Sequence, residues 1–402
     1  MAALTQQKVV VVGGGMGGLA SAMVLARLGA SVTLYEHAPA FGEVGAGIQL
    51  GPNATRRLAA WGLLDETVAR GFLPERLVLR DATTGQELTA QRLGADFVER
   101  YQAPYVVIHR SDLHAILHDA AAESGVELVV DTHVERIEQV QDRALVIMAD
   151  GRVVDADAVV AADGLASASR DRIVGDQPVP SGYVAYRGTL PNDGEHGADV
   201  VAWLGPRCHF VQYPLRRGEL LNMVAVFQSP AFLRGEVEWG GEDELDAAYD
   251  RCTPEVRQAT TRLWRDRRWP MYDRNPTTNW GSGRVTLTGD AAHPMLQYLA
   301  QGACQALEDA SALERHAAGA PGDWPATFAA FAGERQPRTA RVQTTARTWG
   351  EVWHVDGVAR LLRNELLRHR DTASYAYLDW LYGRQAGEAE LITTTATGSS
   401  RA

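Results

Sequence analysis

Four sets of residues in this chain have the types and spacing that chemistry requires. Gly13, Gly15 and Gly18 make a G-x-G-x-x-G run directly after Lys8-Val9-Val10-Val11-Val12. A tight turn at Gly13, an open backbone at Gly15 and close packing at Gly18 let a pyrophosphate rest on the start of the next helix, beside Met16. Glu36 follows at the distance where a carboxylate accepts hydrogen bonds from an adenosine ribose. Asp163-Gly164 and Gly289-Asp290 each follow a strand-like run, where an Asp can hold ligand hydroxyls or simply make a turn or cap. His209 lies between Cys208 and Phe210 in an aromatic run, and its imidazole titrates near neutrality, so it can accept a proton at working pH. Tyr213, four residues on, shares its face by the period-two rule. A sheet histidine satisfied by the backbone and a half-buried sheet tyrosine are the plainer readings.

These residues need elements to position them. The run Lys8–Val12 is continuous and β-branched, as in a buried parallel strand. Leu19, Ala22, Met23 and Ala26 then recur at helical spacing, Gly29 suits a left-handed cap, and Ser31–Tyr35 is the next strand, with Glu36 at its end. This is a β-α-β unit with dinucleotide-binding spacing, and it specifies an adenine dinucleotide without saying which. Tyr105–Ile108 is strand-like, with Arg110 after it and a helical pattern from Ser111. Strand-like runs follow at Glu127–Val130, Leu145–Met148 and Ala158–Ala161. Arg284–Thr288 leads into Gly289-Asp290 and a helix from about Gly302. Residues 71–103 and 181–280 carry short alternating or aromatic segments broken by Gly and Pro, which predict an inserted antiparallel sheet. From about 320 the pattern is helical; Trp349 and Trp353 are spaced for packing or a dimer face, and His293 and His354 read as structural. The polar stretch Thr393–Ala402 predicts a disordered tail.

Composition narrows the function further. The 402 residues, 46% apolar and 22% charged, suit a globular protein of two or three domains. No apolar run approaches the ~20 residues of a membrane helix, and the N-terminus lacks the build of a secretion signal. Three widely spaced cysteines offer neither a disulfide framework nor metal pairing, so a cytoplasmic location is expected, with no metal. The net charge of −11 argues against nucleic acid and means that an anionic substrate must be drawn in by local charge. The absence of a C-x-x-C or C-x₄-C pair excludes a flavin disulfide reductase.

Three motifs in fixed order resemble the single-component FAD-dependent aromatic hydroxylases. They are the glycine run with Glu36, Asp163-Gly164, and Gly289-Asp290-Ala291-Ala292-His293-Pro294 followed by Gln301-Gly302 and Ala306-Leu307-Glu308-Asp309-Ala310. The likeness spans about residues 8 to 315. Gly205–Pro214, Pro294–Ala300 and Trp349–His354 point within that family to its 3-hydroxybenzoate-hydroxylating branch. Many relatives place Pro at position 297 and Gly at 300, where this chain has Gln297 and Ala300. An amide can hydrogen-bond a polar substrate, which a proline ring cannot.

The resemblance implies an α/β fold: a Rossmann-like FAD-binding domain (1–70, 104–180 and 281–345), an inserted antiparallel β-sheet substrate domain (71–103 and 181–280), and a helical C-terminus (346–402). It implies non-covalent FAD held by Gly13, Gly15, Met16, Gly18, Glu36, Arg110, Asp163, Asp290, Gly302 and Ala303. Asp290 would bind ribityl hydroxyls, and the helix opened by Gly302 would face the flavin pyrimidine ring, where reduced flavin is negative. NADH is the implied electron donor, with NADPH open. The reduced flavin would trap dioxygen as a C4a-hydroperoxide that hydroxylates 3-hydroxybenzoate para to its hydroxyl, giving 2,5-dihydroxybenzoate. His209 would be the base, Tyr213 and Gln297 would orient the substrate, and Tyr105 would line the pocket. A homodimer is expected. Salicylate or a related hydroxyaromatic acid, and a non-catalytic flavin- or NAD-binding redox sensor, are the alternatives.

Overall fold

The computed structural model describes residues 4–42, 46–194 and 196–384. The tail predicted at Thr393–Ala402 lies outside the described residues. Lys8–Val12 is the core of a six-stranded sheet, pairing in parallel with Ser31–Tyr35 on one side and Ala158–Ala161 on the other. Glu127–Val129 extends one edge, Val285–Leu287 the other, and Gly281–Ser282 closes that edge antiparallel. Val9 and Val11 pack into one buried cluster and Val10 and Val12 into another. A parallel strand covered on both faces needs such an unbroken apolar run. The helices Met16–Arg27 and Gly302–Gly319 pack together on one face.

Two runs expected among these strands lie elsewhere. Val106–His109 pairs with Gly47–Leu50, and Arg143–Met148 forms an antiparallel three-stranded sheet with Val134–Val140 and Val153–Ala156. Strand propensity was visible in both, but the choice of partner depends on contacts distant in sequence.

The second large sheet has seven strands, in the order Trp269–Asp273, Val179–Pro191, Leu220–Gln228, Cys208–Leu215, Val200–Gly205, Arg76–Asp81 and Glu87–Arg92. It gathers strands from both the 71–103 and 181–280 stretches. Its pairs are antiparallel except Val200–Gly205 with Arg76–Asp81, which run parallel because the chain passes between the two stretches by a long connection. One face packs on the helices Glu242–Tyr249 and Pro254–Thr260 through Tyr186, Trp203, Phe210, Phe227 and Tyr249. The opposite face, carrying Ala185, Ala202, Val211, Tyr213, Val224 and Val226, looks toward the C-terminal helices.

The helix Trp324–His354 is a single element of 31 residues that runs unbroken past position 346. Its far end and the following helix, Gly357–Arg368, meet the second sheet. No described helix is long and apolar enough to cross a membrane.

Candidate active site

Three loops distant in sequence meet at one cavity of about 1030 Å³ between the two large sheets. Its walls include Gly13, Gly15, Met16, Glu36, Arg110, Asp163, Asp290, Gly302 and Ala303 at one end. Tyr105, His209, Tyr213 and Gln297 also line it. The loops touch directly. A Cβ on Gly17 would stand 3.4 Å from Ala306 Cβ and 3.8 Å from Gly289 Cα. His114, on the helix that Arg110 opens, bonds through Nε2 to the Gly14 carbonyl at 2.8 Å.

The glycines divide the work as their spacing predicts. Gly13 has φ of +103°, and a Cβ there would lie 2.4 Å from the Ala162 carbonyl oxygen. Gly18 is not on the cavity wall: a Cβ there would lie 1.9 Å from Gly13 O, so its smallness serves helix packing. Gly15 and Gly302 differ from both, because a Cβ on either would meet nothing within 4 Å. Each opens the first turn of a helix onto free space, where unpaired N–H groups favour anionic or electron-rich ligand atoms. This open cradle, with the Glu36 carboxylate at one end and Asp290 exposed to the cavity, fits a long dinucleotide. Glu36 is held in shape by accepting the Gly14 N–H at 2.6 Å and the Ala38 N–H at 2.8 Å. Both oxygens of Asp163 are engaged locally, by Ser167 Oγ at 2.5 Å and the Ser169 N–H at 3.0 Å, so this side chain shapes its own loop.

A buried ionic network sets the Asp290 loop. Asp309 Oδ2 accepts from Thr288 Oγ1 at 3.0 Å, the Gly289 N–H at 3.0 Å and His293 Nε2 at 2.6 Å. Its Oδ1 accepts from Arg335 Nε at 2.7 Å. Arg335 also meets Glu308 at 2.6 Å, and Glu308 takes further bonds from Asn53 and Arg338. Burial pushes the Asp309 carboxyl up, but His293 and Arg335 outweigh it and hold the group down at about 2. The sequence Glu308-Asp309 is therefore the fixing point of the loop that carries Asp290. Local spacing gave no sign of this role.

The remaining wall is built on the open face of the seven-stranded sheet. His209 and Tyr213 do share that face, with Val211 between them. Burial drives His209 well below its ordinary value and pushes Tyr213 up, so both are neutral. Tyr213 lies against Gly47, where a Cβ would approach its ring to 2.6 Å. Tyr105 donates to Gln49 Oε1 at 2.7 Å. Gln297 begins a short 3₁₀ turn, Gln297–Leu299, and its side-chain amide has no protein partner among the described residues. Ala300 ends that turn in the left-handed region, with φ of 52° and ψ of 44°. The position suits a glycine, and the methyl group here costs roughly 1 kcal/mol.

Several wall residues were not expected from the sequence. Trp349 and Trp353 line the cavity instead of serving only as packing. His354 bonds His209, Nε2 to Nδ1, at 2.8 Å. Arg187 reaches the cavity from the strand Val179–Pro191, on the same face as Ala185. Its guanidinium has no hydrogen-bond or ion-pair partner among the described residues. It stacks 5.4 Å from the Trp269 ring centroid, and burial, with Arg110 nearby, pushes its pKa down. An arginine in the interior of a strand within the sheet was the available signal.

The sequence matches the model of the FAD binding domain family over residues 6–320. It is 40% identical over 387 residues to 3-hydroxybenzoate 6-hydroxylase of Klebsiella oxytoca, covering 94% of this chain and 96% of that one. It is 38% identical to 3-amino-4-hydroxybenzoate 2-monooxygenase of Streptomyces cremeus, again over 94% of this chain and 96% of the relative. The fold matches the crystal structure of Klebsiella pneumoniae HpxO complexed with FAD and uric acid, with a TM-score of 0.81 and 26% identity. That match covers 91% of this chain and 94% of the other.

Proposed function

The chain belongs to the FAD binding domain family of flavin-dependent aromatic hydroxylases, and from that premise we propose that it hydroxylates 3-hydroxybenzoate para to its hydroxyl, giving 2,5-dihydroxybenzoate. The observation that carries this reading is the likeness, over 94% of the chain, to several proteins named for that reaction. Its cofactor is FAD. When bound, reduced and reacted with dioxygen, FAD supplies the oxygen atom that enters the ring.

The residues of the chain have three tasks. The first is positioning. Gly15, Met16, Glu36, Arg110, Asp290, Gly302 and Ala303 line the cavity and would hold the dinucleotide. The second is activation of the phenol. A phenol ring is attacked readily only as its hydroxyl loses the proton, which sends electron density to the ortho and para carbons. His209 is neutral and faces the cavity, so its free nitrogen can take that proton. A base of depressed pKa suffices, because the hydroxyl becomes far more acidic as the ring is attacked. Tyr213 and Gln297 orient the hydroxyl. The third task is holding the carboxylate, for which Arg187 is the group we assign. It lies opposite Val224, which lies opposite Val211 beside His209. Two strand spacings and one two-residue step put its Cα about 12 Å from that of His209. Side chains converging across that gap can span a hydroxybenzoate. A half-buried guanidinium with no ion-pair partner among the described residues also gives a chain of net charge −11 the local attraction it needs for an anion.

NADH as donor and a homodimeric assembly follow from the resemblance and are part of the proposal. A panel of hydroxybenzoates and hydroxyaminobenzoates, assayed with NADH and with NADPH and with product identification, tests the reading. Stimulated NADH oxidation with 3-hydroxybenzoate and recovery of 2,5-dihydroxybenzoate is the expected result. The relative named for 3-amino-4-hydroxybenzoate favours a second reading, the same chemistry on another hydroxyaromatic acid. A different preferred ring in the panel would select it.

A further inference from the structure

His209 does not stand alone in the sheet. His354, the last residue of the 31-residue helix, brings its Nε2 to 2.8 Å from His209 Nδ1. Their ring centroids are 5.0 Å apart and their planes 24° from parallel, and Tyr183 stacks on His354, 4.4 Å away at 17°. His354 is 5% exposed and His209 1%. His354 Nδ1 is buried without a partner among the described residues, whereas the second nitrogen of His209 is not enclosed in this way, and His209 lines the cavity. The helix end is tied down by the Arg207 N–H, which donates to the His354 carbonyl at 2.9 Å, and by Arg363, which donates to the Trp353 carbonyl. Tyr249 donates to the His209 carbonyl at 2.6 Å.

Building on the reading of His209 as the base, we propose that His354 is its positioning residue, and that the two imidazoles form a closed pair that holds the substrate's phenolic proton while the ring is attacked. When His354 Nε2 accepts the Nδ1–H of His209, the lone pair of His209 is fixed on Nε2, toward the ring. During attack the phenol O–H bond breaks and an N–H bond forms at His209 Nε2. The positive charge spreads across the 2.8 Å bond to His354. As the new C–O bond forms, the O–O bond of the oxidant breaks; the attacked carbon then gives its hydrogen as a proton to the displaced oxygen, the phenolic oxygen takes its own proton back from His209 Nε2, and the pair ends as it began. Hydroxylation moves no net proton off the phenolic oxygen, and a buried pair with no outlet suits storage rather than export. The groups facing the pair are Tyr183, Tyr298, Tyr249 and Trp353, with Arg363, Arg207, Cys208 and Glu351 beyond. Among the described residues, no carboxylate bonds either ring. A neutral acceptor, unlike a carboxylate, leaves His209 in its proton-accepting form; burial and Arg363 push His354 down to about 3.

Four proteins test this: wild type, His209→Gln, His354→Phe and His354→Gln, each with FAD bound. Two readouts are taken: product formed per NADH against pH, and the downfield imidazole N–H resonances in ¹H NMR without substrate. His354→Phe should lower hydroxylation roughly 10- to 100-fold and turn the pH profile into one that rises toward the ionisation of the free phenol. His354→Gln, whose amide oxygen can still accept, should restore most of the rate and the flat profile. A downfield proton should be present in the wild type and lost in His209→Gln and His354→Phe. An unchanged rate and profile in His354→Phe, with His209→Gln impaired, would overturn the pairing alone. If His209→Gln is itself unimpaired, the base reading fails instead. Should His354→Phe lose FAD, the wild-type and His354→Gln spectra decide: no shared downfield proton in the wild type refutes the pair.

Discussion

The two ends of the cavity treat polar groups in opposite ways. Around the Asp290 loop, buried charges are paired: Asp309 with His293 and Arg335, Glu308 with Arg335, Arg338 and Asn53. On the sheet face and the Gln297–Leu299 turn that lines the same cavity, Arg187, Gln297 and one nitrogen of His209 are held in place without a hydrogen-bond partner among the described residues. A buried polar group without a partner is costly, so it persists where a ligand completes it. On the proposed function, the paired charges hold the site and the unpaired groups are the ones that meet the substrate.

Breaking the paired end should have the largest effect. Arg335→Met strips one cationic partner from each of two buried carboxylates, Asp309 and Glu308, at a cost of about 3–5 kcal/mol. Thermal unfolding should show a large fall in Tm together with loss of bound flavin; an unchanged Tm would mean that the network does not hold the loop. At the unpaired end, His209→Gln should keep FAD and the melting temperature while hydroxylation falls by about 10²–10⁴-fold. Arg187→Met should act on KM more than on kcat, raising it by roughly 10- to 100-fold, the value of a charge-assisted contact worth ~1.5–3 kcal/mol. Uniform loss of kcat with unchanged KM would argue that Arg187 serves something other than the carboxylate.

The same contrast predicts two limbs in stability against pH. His209 and His354 have depressed pKa values, so below about 6.5 the unfolded chain binds protons that the folded one refuses, and stability falls as the pH drops. Asp309 is also depressed, from 3.8 to about 2, so its contribution is present above 3.8 and is lost as the pH falls toward 2. Replacing both histidines by glutamine should flatten the upper limb, by up to about 1.4 kcal/mol per pH unit for each imidazole, and leave the lower one. Denaturant titrations from pH 7 to 3 would show it. The smallest effect belongs to Ala300→Gly, which relieves the left-handed strain and should stabilise by about 0.5–1 kcal/mol, raising Tm slightly. A lower Tm would mean that the methyl packs usefully.

Much of the glycine-rich end of the cavity was legible because its signals are local. Gly13, Gly15 and Gly18 sit in one turn, and the strand before them and the helix after them carry their own periods. Asp290 and Gly302 could be read the same way. What local patterns could not carry were contacts between distant elements. His354 lies 145 residues from His209, and Arg335 lies 26 from Asp309. Trp349 and Trp353 have ordinary helix-packing spacing, and only the docking of their helix on the second sheet turns them to the cavity. Arg187 required knowing which face of its strand is inward.

The most direct test supplies the purified protein with NADH, 3-hydroxybenzoate and ¹⁸O₂ and analyses the product by mass spectrometry. One labelled oxygen in 2,5-dihydroxybenzoate, with protein-bound FAD recovered after turnover, is the predicted result. Flavin-free protein, or NADH consumed at the same rate without the aromatic acid and with no labelled ring product, would contradict it.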